Sequence, residues 1–209
     1  KSLSIVITDE QHRFGAAQRE KLENKGVNPH KLVMSATPIP QTLAYILYGD
    51  LDISIIDEYP KGRQKIDTYS VDSSYRERIY KYIKKFLDEG RQAYIVCPLV
   101  DSNDEYDITS ATEYYDTLKS GAFAGYSLGL LHGKMNAKEK EDVMSRFSSG
   151  EIQLLIATTV IEVGIDVPNA VVMLIESAER FGLSQLHQLR GRIGRGAHKS
   201  DCILISDSD

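Results

Sequence analysis

Eight short β-rich runs recur along this chain, most of them almost wholly apolar. They are LSIVIT (3–8), KLVMSA (31–36), DTYSV (67–71), QAYIVCP (92–98), YSLGLLH (126–132), IQLLIAT (152–158), AVVMLI (170–175) and DCILISD (201–207). A strand that is apolar on both faces must be covered on both faces, which is the condition of a parallel sheet between helical layers. The intervening stretches supply the helices. In YRERIYKYIKKFLDEG (75–90), Tyr75, Ile79, Tyr82, Ile83, Phe86 and Leu87 fall on one face and Gly90 ends the run. AKEKEDVMSRFSSG (137–150) follows the same design, with Asn136 as N-cap and Gly150 past the end. LSQLHQL (183–189) reads as a third helix. The expected class is α/β, a parallel sheet with helices on both faces. Right-handed crossovers would gather the loops that follow each strand along one edge, where such folds bind ligands.

At 209 residues the chain has room for one domain and part of another. The polar, aperiodic stretch DEYPKGRQKID (57–67), with Pro60 and Gly62, reads as a linker. Residues 1–56 hold too few strands for a complete sheet domain; residues 68–209 are a full-sized one. Cys97 and Cys202 lie in apolar runs and read as buried free thiols, the pattern of a reducing, cytoplasmic setting. No apolar run reaches the roughly 18 residues of a membrane helix, and the start KSLSIVITDE lacks the pattern of a signal peptide. The net charge of −5 leaves no chain-wide basic field for nucleic acid, so any such contact must be local. DSNDEYD (101–107) is acidic, whereas RGRIGRGAHK (190–199) carries Arg190, Arg192, Arg195 and Lys199 and no acid.

Five stretches carry chemistry. DEQH (9–12) comes after a buried strand. Asp9 could hold Mg²⁺ through water and Glu10 could activate a water, with Gln11 and His12 near a terminal phosphate; four polar residues there also suit a solvated turn. In MSATPIPQT (34–42), Ser35 and Thr37 end a strand before two turn-setting prolines. In LLHGKM (130–135), Gly133 permits close backbone approach and Lys134 can meet a phosphate, beside His132. IATTVIEVGIDVPNA (156–170) offers the hydroxyls of Thr158 and Thr159 to a phosphate, then Gly164 and Asp166, the latter a ribose acceptor or simply a turn residue before Pro168. QLHQLRGRIGRG (185–196) is the most pointed. Three arginines crowded among Gly191, Gly194 and Gly196 repel one another and require an anion, which glycines let backbone amides approach. His187 reads as a helix-packing residue, and the spacing of His12, His132 and His187 does not support a zinc site.

In this order, the stretches resemble motifs II, III, V and VI of superfamily 2 helicases. The spellings DEQHRFG, SATPIPQTL, HGKM, ATTVIEVGIDVPNA and RFGLSQLHQLRGRIGRG are similar to those of the RecG family of bacterial ATP-dependent DNA helicases. The related transcription-repair coupling factors, double-strand DNA translocases, are the nearer alternative; their second motif usually has Glu at the position of Gln11. The resemblance implies two RecA-like domains with ATP between them and a role in remodelling branched DNA and stalled forks. It implies Asp9 and Glu10 as the Mg²⁺ and water-activating acids, and Arg192 and Arg195 as γ-phosphate arginines. Gln11, His12, Gly164, Asp166 and Gln188 become nucleotide contacts, Ser35 and Thr37 coupling residues, and His132, Lys134 and Thr158 DNA-side residues. No G-x-x-x-x-G-K-[ST] run occurs in the chain. The 209 residues are therefore expected to be a C-terminal motor segment, inactive alone, with residues 1–56 prone to self-association through exposed strand edges. A non-catalytic nucleic-acid-binding module is the alternative from another class.

Overall fold

The computed structural model describes residues 3–9, 15, 21–22, 24–35, 52–56, 58, 64–98, 104–158 and 166–207. The chain divides into two compact units, Lys1–Asp57 and Glu58–Asp209. All eight expected strands form, each trimmed or shifted by a few residues. In the first unit, β1 (Ile5–Thr8) and β2 (His30–Val33) pair in parallel, with Ile5 opposite His30 and Thr8 opposite Val33. Val6 and Thr8 are buried, whereas Ile5, Ile7 and Leu32 are exposed.

The second unit is built on β3 (Ile66–Val71), β4 (Gln92–Cys97), β5 (Leu128–Leu131), β6 (Leu154–Thr158), β7 (Ala170–Ile175) and β8 (Ser200–Ile205). These six form one all-parallel sheet in the order β3-β8-β7-β4-β6-β5. β3 takes up Ile66 and Asp67, the end of the stretch read as a linker. The two pair with Ser200 and Asp201, and Lys199 Nζ lies 2.6 Å from the Asp67 carboxylate.

Among the described residues, four α-helices cover the sheet: α1 (Arg76–Asp88), α2 (Asp104–Ser120), α3 (Ala137–Ser148) and α4 (Leu183–Arg190). Alternation along each strand splits the core in two. Ala93, Ile95, Val172 and Leu174 pack with Ile79, Ile83 and Leu87 of α1 and Leu118 of α2. Tyr94, Val96, Met173 and Ile175 pack with Met144 and Phe147 of α3 and Leu189 of α4. β6, β7 and nearly all of β4 are buried along their length, so water reaches the central sheet only at strand ends.

The sequence misplaced one helix face and missed one helix. Tyr75, which caps α1, and Tyr82 on it are 44% and 37% exposed, and Tyr80 is buried instead. The apolar stripe is rotated because α1 also packs beside α2. The Tyr80 ring meets Phe123 edge-on at 5.3 Å, and its hydroxyl lies 2.8 Å from that of Tyr114. Tyr82 turns to the sheet margin and donates to Asp201 at 2.7 Å. Helix α2 grows out of the stretch read only as acidic. Ala111 and Leu118, seven residues apart, are its fully buried apolar residues among those described, too thin a stripe to recognise in isolation.

Asn136 does cap α3. Its Oδ1 accepts from the Glu139 amide at 3.0 Å, and the Glu139 carboxylate accepts from the Asn136 amide at 2.8 Å, a reciprocal capping box. Replacing Asn136 by Ala should lower the unfolding free energy by about 1 kcal/mol. Lys138→Ala on the exposed face should change it by less than about 0.5 kcal/mol. Urea denaturation of the two variants checks the difference.

Candidate functional site

Because every strand of the large sheet points the same way, the chemistry-bearing residues sort onto two opposite edges. His132, Gly133 and Lys134 leave the carboxyl end of β5, and Thr158 is the last residue of β6. Leu131 pairs with Ala157, so His132 and Thr158 are next in register on adjacent strands. Both carry a buried polar atom that has no hydrogen-bond partner among the described residues, His132 Nδ1 and Thr158 Oγ1. An unpaired buried hydroxyl costs about 1–3 kcal/mol, so a fold that keeps two such groups side by side has left room for a ligand's donors or acceptors. The loop around them is held by Lys140 Nζ on the Gly133 carbonyl at 3.0 Å and by the His132 amide on Met135 Sδ at 3.4 Å. Lys134 is exposed.

The arginine stretch lies at the amino edge. Helix α4 begins beyond the carboxyl end of β7 and runs back, so that Arg190, Gln188 in its last turn, Arg192 and Arg195 precede the first residue of β8. Asp166, which precedes β7, meets Arg195 in an ion pair, and Arg195 Nε also donates to the Gly191 carbonyl at 3.0 Å. The anion that one of these arginines needs is thus supplied within the chain. Both side chains stay substantially open to solvent, Arg195 at 32% and Asp166 at 54%, so the pair can be competed for. Two of the glycines serve packing. A side chain at Gly194, whose φ is 71°, would strike Ile66, and one at Gly196 would strike the Pro168 carbonyl. The loop is thereby pressed against the starts of β3 and β7. His187, read as a packing residue, is instead exposed, its Nδ1 3.2 Å from Arg190 Nη2.

In the first unit, Asp9 and Ser35 stand together at the carboxyl ends of β1 and β2, where the Met34 amide donates to the Thr8 carbonyl at 2.8 Å. Asp9 is exposed. Mg²⁺ keeps most of its water and takes one or two protein carboxylates, so a single exposed acid at a strand end suits it. No group of three metal-ligating side chains occurs among the described residues. Glu10, Gln11, His12, Thr37, Thr159 and Gly164 lie outside the described residues.

One cluster escaped the sequence reading. Glu176, directly after β7, is buried and accepts from Arg76 Nη2 at 2.7 Å and from the Tyr114 hydroxyl at 2.7 Å. The signal was available: an acid closing the wholly apolar run AVVMLI, the same pattern that drew attention to Asp9. Cys97 and Cys202 are free, as expected, and burial pushes both thiols up to about 12, so neither is a nucleophile near neutrality.

A family model for the helicase conserved C-terminal domain matches residues 76–197, well over half of the chain. This chain belongs to that helicase C-terminal domain family. Its similarity to RecG runs almost end to end. The ATP-dependent DNA helicase RecG of Bacillus subtilis (strain 168) is 54% identical over 208 residues, which is 99% of this chain and 30% of that protein. A solved structure of RecG bound to a three-way DNA junction is 47% identical, with a TM-score of 0.78 over 99% of this chain and 26% of that one. The fold alone extends to the Mycobacterium smegmatis helicase Lhr bound to ssDNA and AMP-PNP. That structure is 21% identical, with a TM-score of 0.63 over 97% of this chain and 28% of that one. The six-stranded parallel sheet is thus the RecA-like fold of a helicase C-terminal domain, and the chain spans 30% of the length of the Bacillus relative.

The His132 ring is held below its ordinary pKa of 6.5, first by burial and then by Lys140 and Lys134, against the opposing pull of Glu139. The unfolded chain therefore takes up this proton first as pH falls. Stability from this group is complete above about pH 6.5 and declines as pH drops toward the lower folded midpoint. An NMR titration should place the His132 midpoint below about 6.5, and His132→Asn should flatten the acid limb of the stability profile.

Proposed function

We propose that this chain is the motor segment of an ATP-dependent DNA helicase that remodels branched DNA and stalled replication forks in bacterial recombination and repair. Residues 1–56 are the C-terminal part of its first RecA-like domain and residues 68–209 its second. The observation that carries this reading is the sorting of residues onto the two edges of the sheet. The residues assigned to DNA, His132, Lys134 and Thr158, share the carboxyl edge, and those assigned to nucleotide, Asp166, Gln188, Arg192 and Arg195, share the amino edge.

At the carboxyl edge, a DNA phosphate takes a hydrogen bond from the Thr158 hydroxyl and charge from Lys134. At the amino edge, the guanidinium groups of Arg192 and Arg195 neutralise charge on the terminal phosphate of ATP. Asp166 holds Arg195 in orientation until the more highly charged phosphate competes for it. Mg²⁺–ATP would supply the phosphoryl group and a cation to neutralise its oxygens; Asp9 would hold that cation, and Glu10 would orient the attacking water. The polypeptide works in the bacterial cytoplasm, on the nucleoid.

The test is ATP hydrolysis with and without branched DNA, by these 209 residues and by a full-length protein that carries them. Only the full-length protein should turn over, with stimulation by DNA. Arg195→Ala in that protein should lower the stimulated rate by about a thousandfold or more, the range of arginine-finger losses. Thr158→Val should leave folding stability unchanged or slightly raised, since it removes an unpaired hydroxyl, and should weaken DNA affinity with its salt dependence unchanged, because a neutral hydroxyl releases no counterions. DNA affinity that responds to salt but never to nucleotide, with no hydrolysis by either protein, would move the reading to a non-catalytic nucleic-acid-binding module. For the isolated chain we place self-association on the β1–β2 face, where Ile5, Ile7 and Leu32 are exposed. A sedimentation velocity profile that stays monomeric at all concentrations would refute it.

A further inference from the structure

We propose that the cluster of Arg76, Glu176, Tyr114 and Tyr80 is a latch at the carboxyl edge that positions α4 and, through it, the arginine loop at the opposite edge. The assignment of the arginine loop to nucleotide rests on the function proposed above; the latch itself does not.

Glu176 is the first residue past the buried β7, and its amide donates to the Val96 carbonyl at 2.9 Å. Its carboxylate is held from two directions. Arg76, the first residue of α1, reaches it with Nη2 at 2.7 Å and Nε at 3.3 Å, a two-point contact that fixes the plane of the group. Tyr114 of α2 donates its hydroxyl at 2.7 Å, which commits its only hydrogen. The 2.8 Å contact between the Tyr114 and Tyr80 hydroxyls therefore has Tyr80 as donor. The Glu176 side chain is 9% exposed. Burial, then the charge of Glu176, pushes the Tyr114 hydroxyl far above its ordinary range, which keeps it a donor at any working pH.

The backbone just past Glu176 explains why an ion pair stands at this point. Ser177 adopts the left-handed conformation, φ 48° and ψ 54°, uncommon for a residue with a side chain. The chain then reverses through a short 3-10 turn, in which the Arg180 amide donates to the Ser177 carbonyl and the Phe181 amide to the Ala178 carbonyl. Gly182 opens α4, and eight residues of helix, about 12 Å, carry the chain back across the sheet. The amides of Gly191, Arg192 and Ile193 return to His187, Leu189 and Arg190, so the hydrogen-bonded turns of α4 run on into the arginines. Leu189 and the fully buried Ile193 anchor the far end in the core. A strained reversal is held only where the surroundings over-determine it, and here the fixed carboxylate one residue earlier does so. Helices α1 and α2 on one face of the sheet thereby set the start of a helix that lies on the other.

Hydrogen exchange of the 209-residue chain, wild type against Glu176→Gln, reads the latch without any activity. Amides of residues 186–193 should exchange at least about tenfold faster while β4 and β6 keep their protection, as expected when a local unit opens below the global transition. Tyr114→Phe removes one hydroxyl, cannot threaten the fold to the same degree, and should move the same amides in the same direction by a smaller factor. If both variants leave residues 186–193 protected, or lose protection in α1 and α2 alone, the latch is overturned. In a full-length protein that carries this chain, Glu176→Gln should lower kcat for DNA-stimulated ATP hydrolysis at least tenfold with KM for ATP changed less than twofold. A raised KM with unchanged kcat would count against positioning. Absence of hydrolysis in the wild type would sink the helicase reading, and the exchange measurement would still decide the latch.

Discussion

The parallel pairing of six strands between two helical layers is the constraint on which the rest of the second unit depends. A parallel pair cannot be closed by a tight turn, so each strand requires a crossover. With both faces covered, the side chains of the central strands alternate between two dry cores. Tyr94, Val96, Met173 and Ile175 face α3 and α4, and Ala93, Ile95, Val172 and Leu174 face α1 and α2. Little room remains for polar chemistry inside the sheet. It is displaced to the strand ends, and because all strands run the same way there are just two places for it, the edge where strands begin and the edge where they end.

The two edges manage their polar groups differently. At the amino edge the side-chain amides of Gln92 and Asn169 are satisfied internally. Gln92 donates to the Ile152 carbonyl at 2.7 Å, and Asn169 donates to the Gly90 carbonyl at 2.9 Å while accepting from Arg91 at 2.9 Å. These contacts stitch the loops together and leave the Arg195–Asp166 pair on the outside. At the carboxyl edge the centre is closed by the Glu176 cluster, whereas the β5–β6 corner keeps His132 Nδ1 and Thr158 Oγ1 without partners. Buried polar groups are normally paired because desolvation is costly. The carboxyl edge thus has a satisfied centre and, among the described residues, an unsatisfied corner.

Much of this could be read from residues in order. Apolar runs marked the strands, since a run covered on both faces needs no partner to be visible. Asn136 marked a helix start, because a cap is local; that Glu139 answers it in a capping box came with the structure. Asp9, Ser35, His132 and Thr158 each stood out as polar groups at the end of, or just beyond, an apolar segment, and Arg195 through the crowding of arginines among glycines. What escaped were features set by neighbours distant in sequence. Helix α2 has a thin apolar stripe and is recognisable once Phe123, Tyr80 and the sheet lie beneath it. The burial of Tyr80 in place of Tyr75 and Tyr82 depends on that same helix. Gly194 and Gly196 looked like an anion cradle, but their lack of a side chain is used against Ile66 and Pro168, neither of which is near them in the chain.

The order of elements, their type and the identity of the reactive side chains were therefore determined by the sequence itself, through periodicity, capping and composition acting over a few residues. Which of those side chains would stand together was decided by the tertiary structure. Strand order β3-β8-β7-β4-β6-β5 is not the order of the chain, and it alone puts His132 beside Thr158, Asp166 beside Arg195 and Arg76 beside Glu176. The reason is physical. A side chain's chemistry is carried by its own residue, but its charge, hydration and partners depend on what the completed sheet brings within a few ångströms of it.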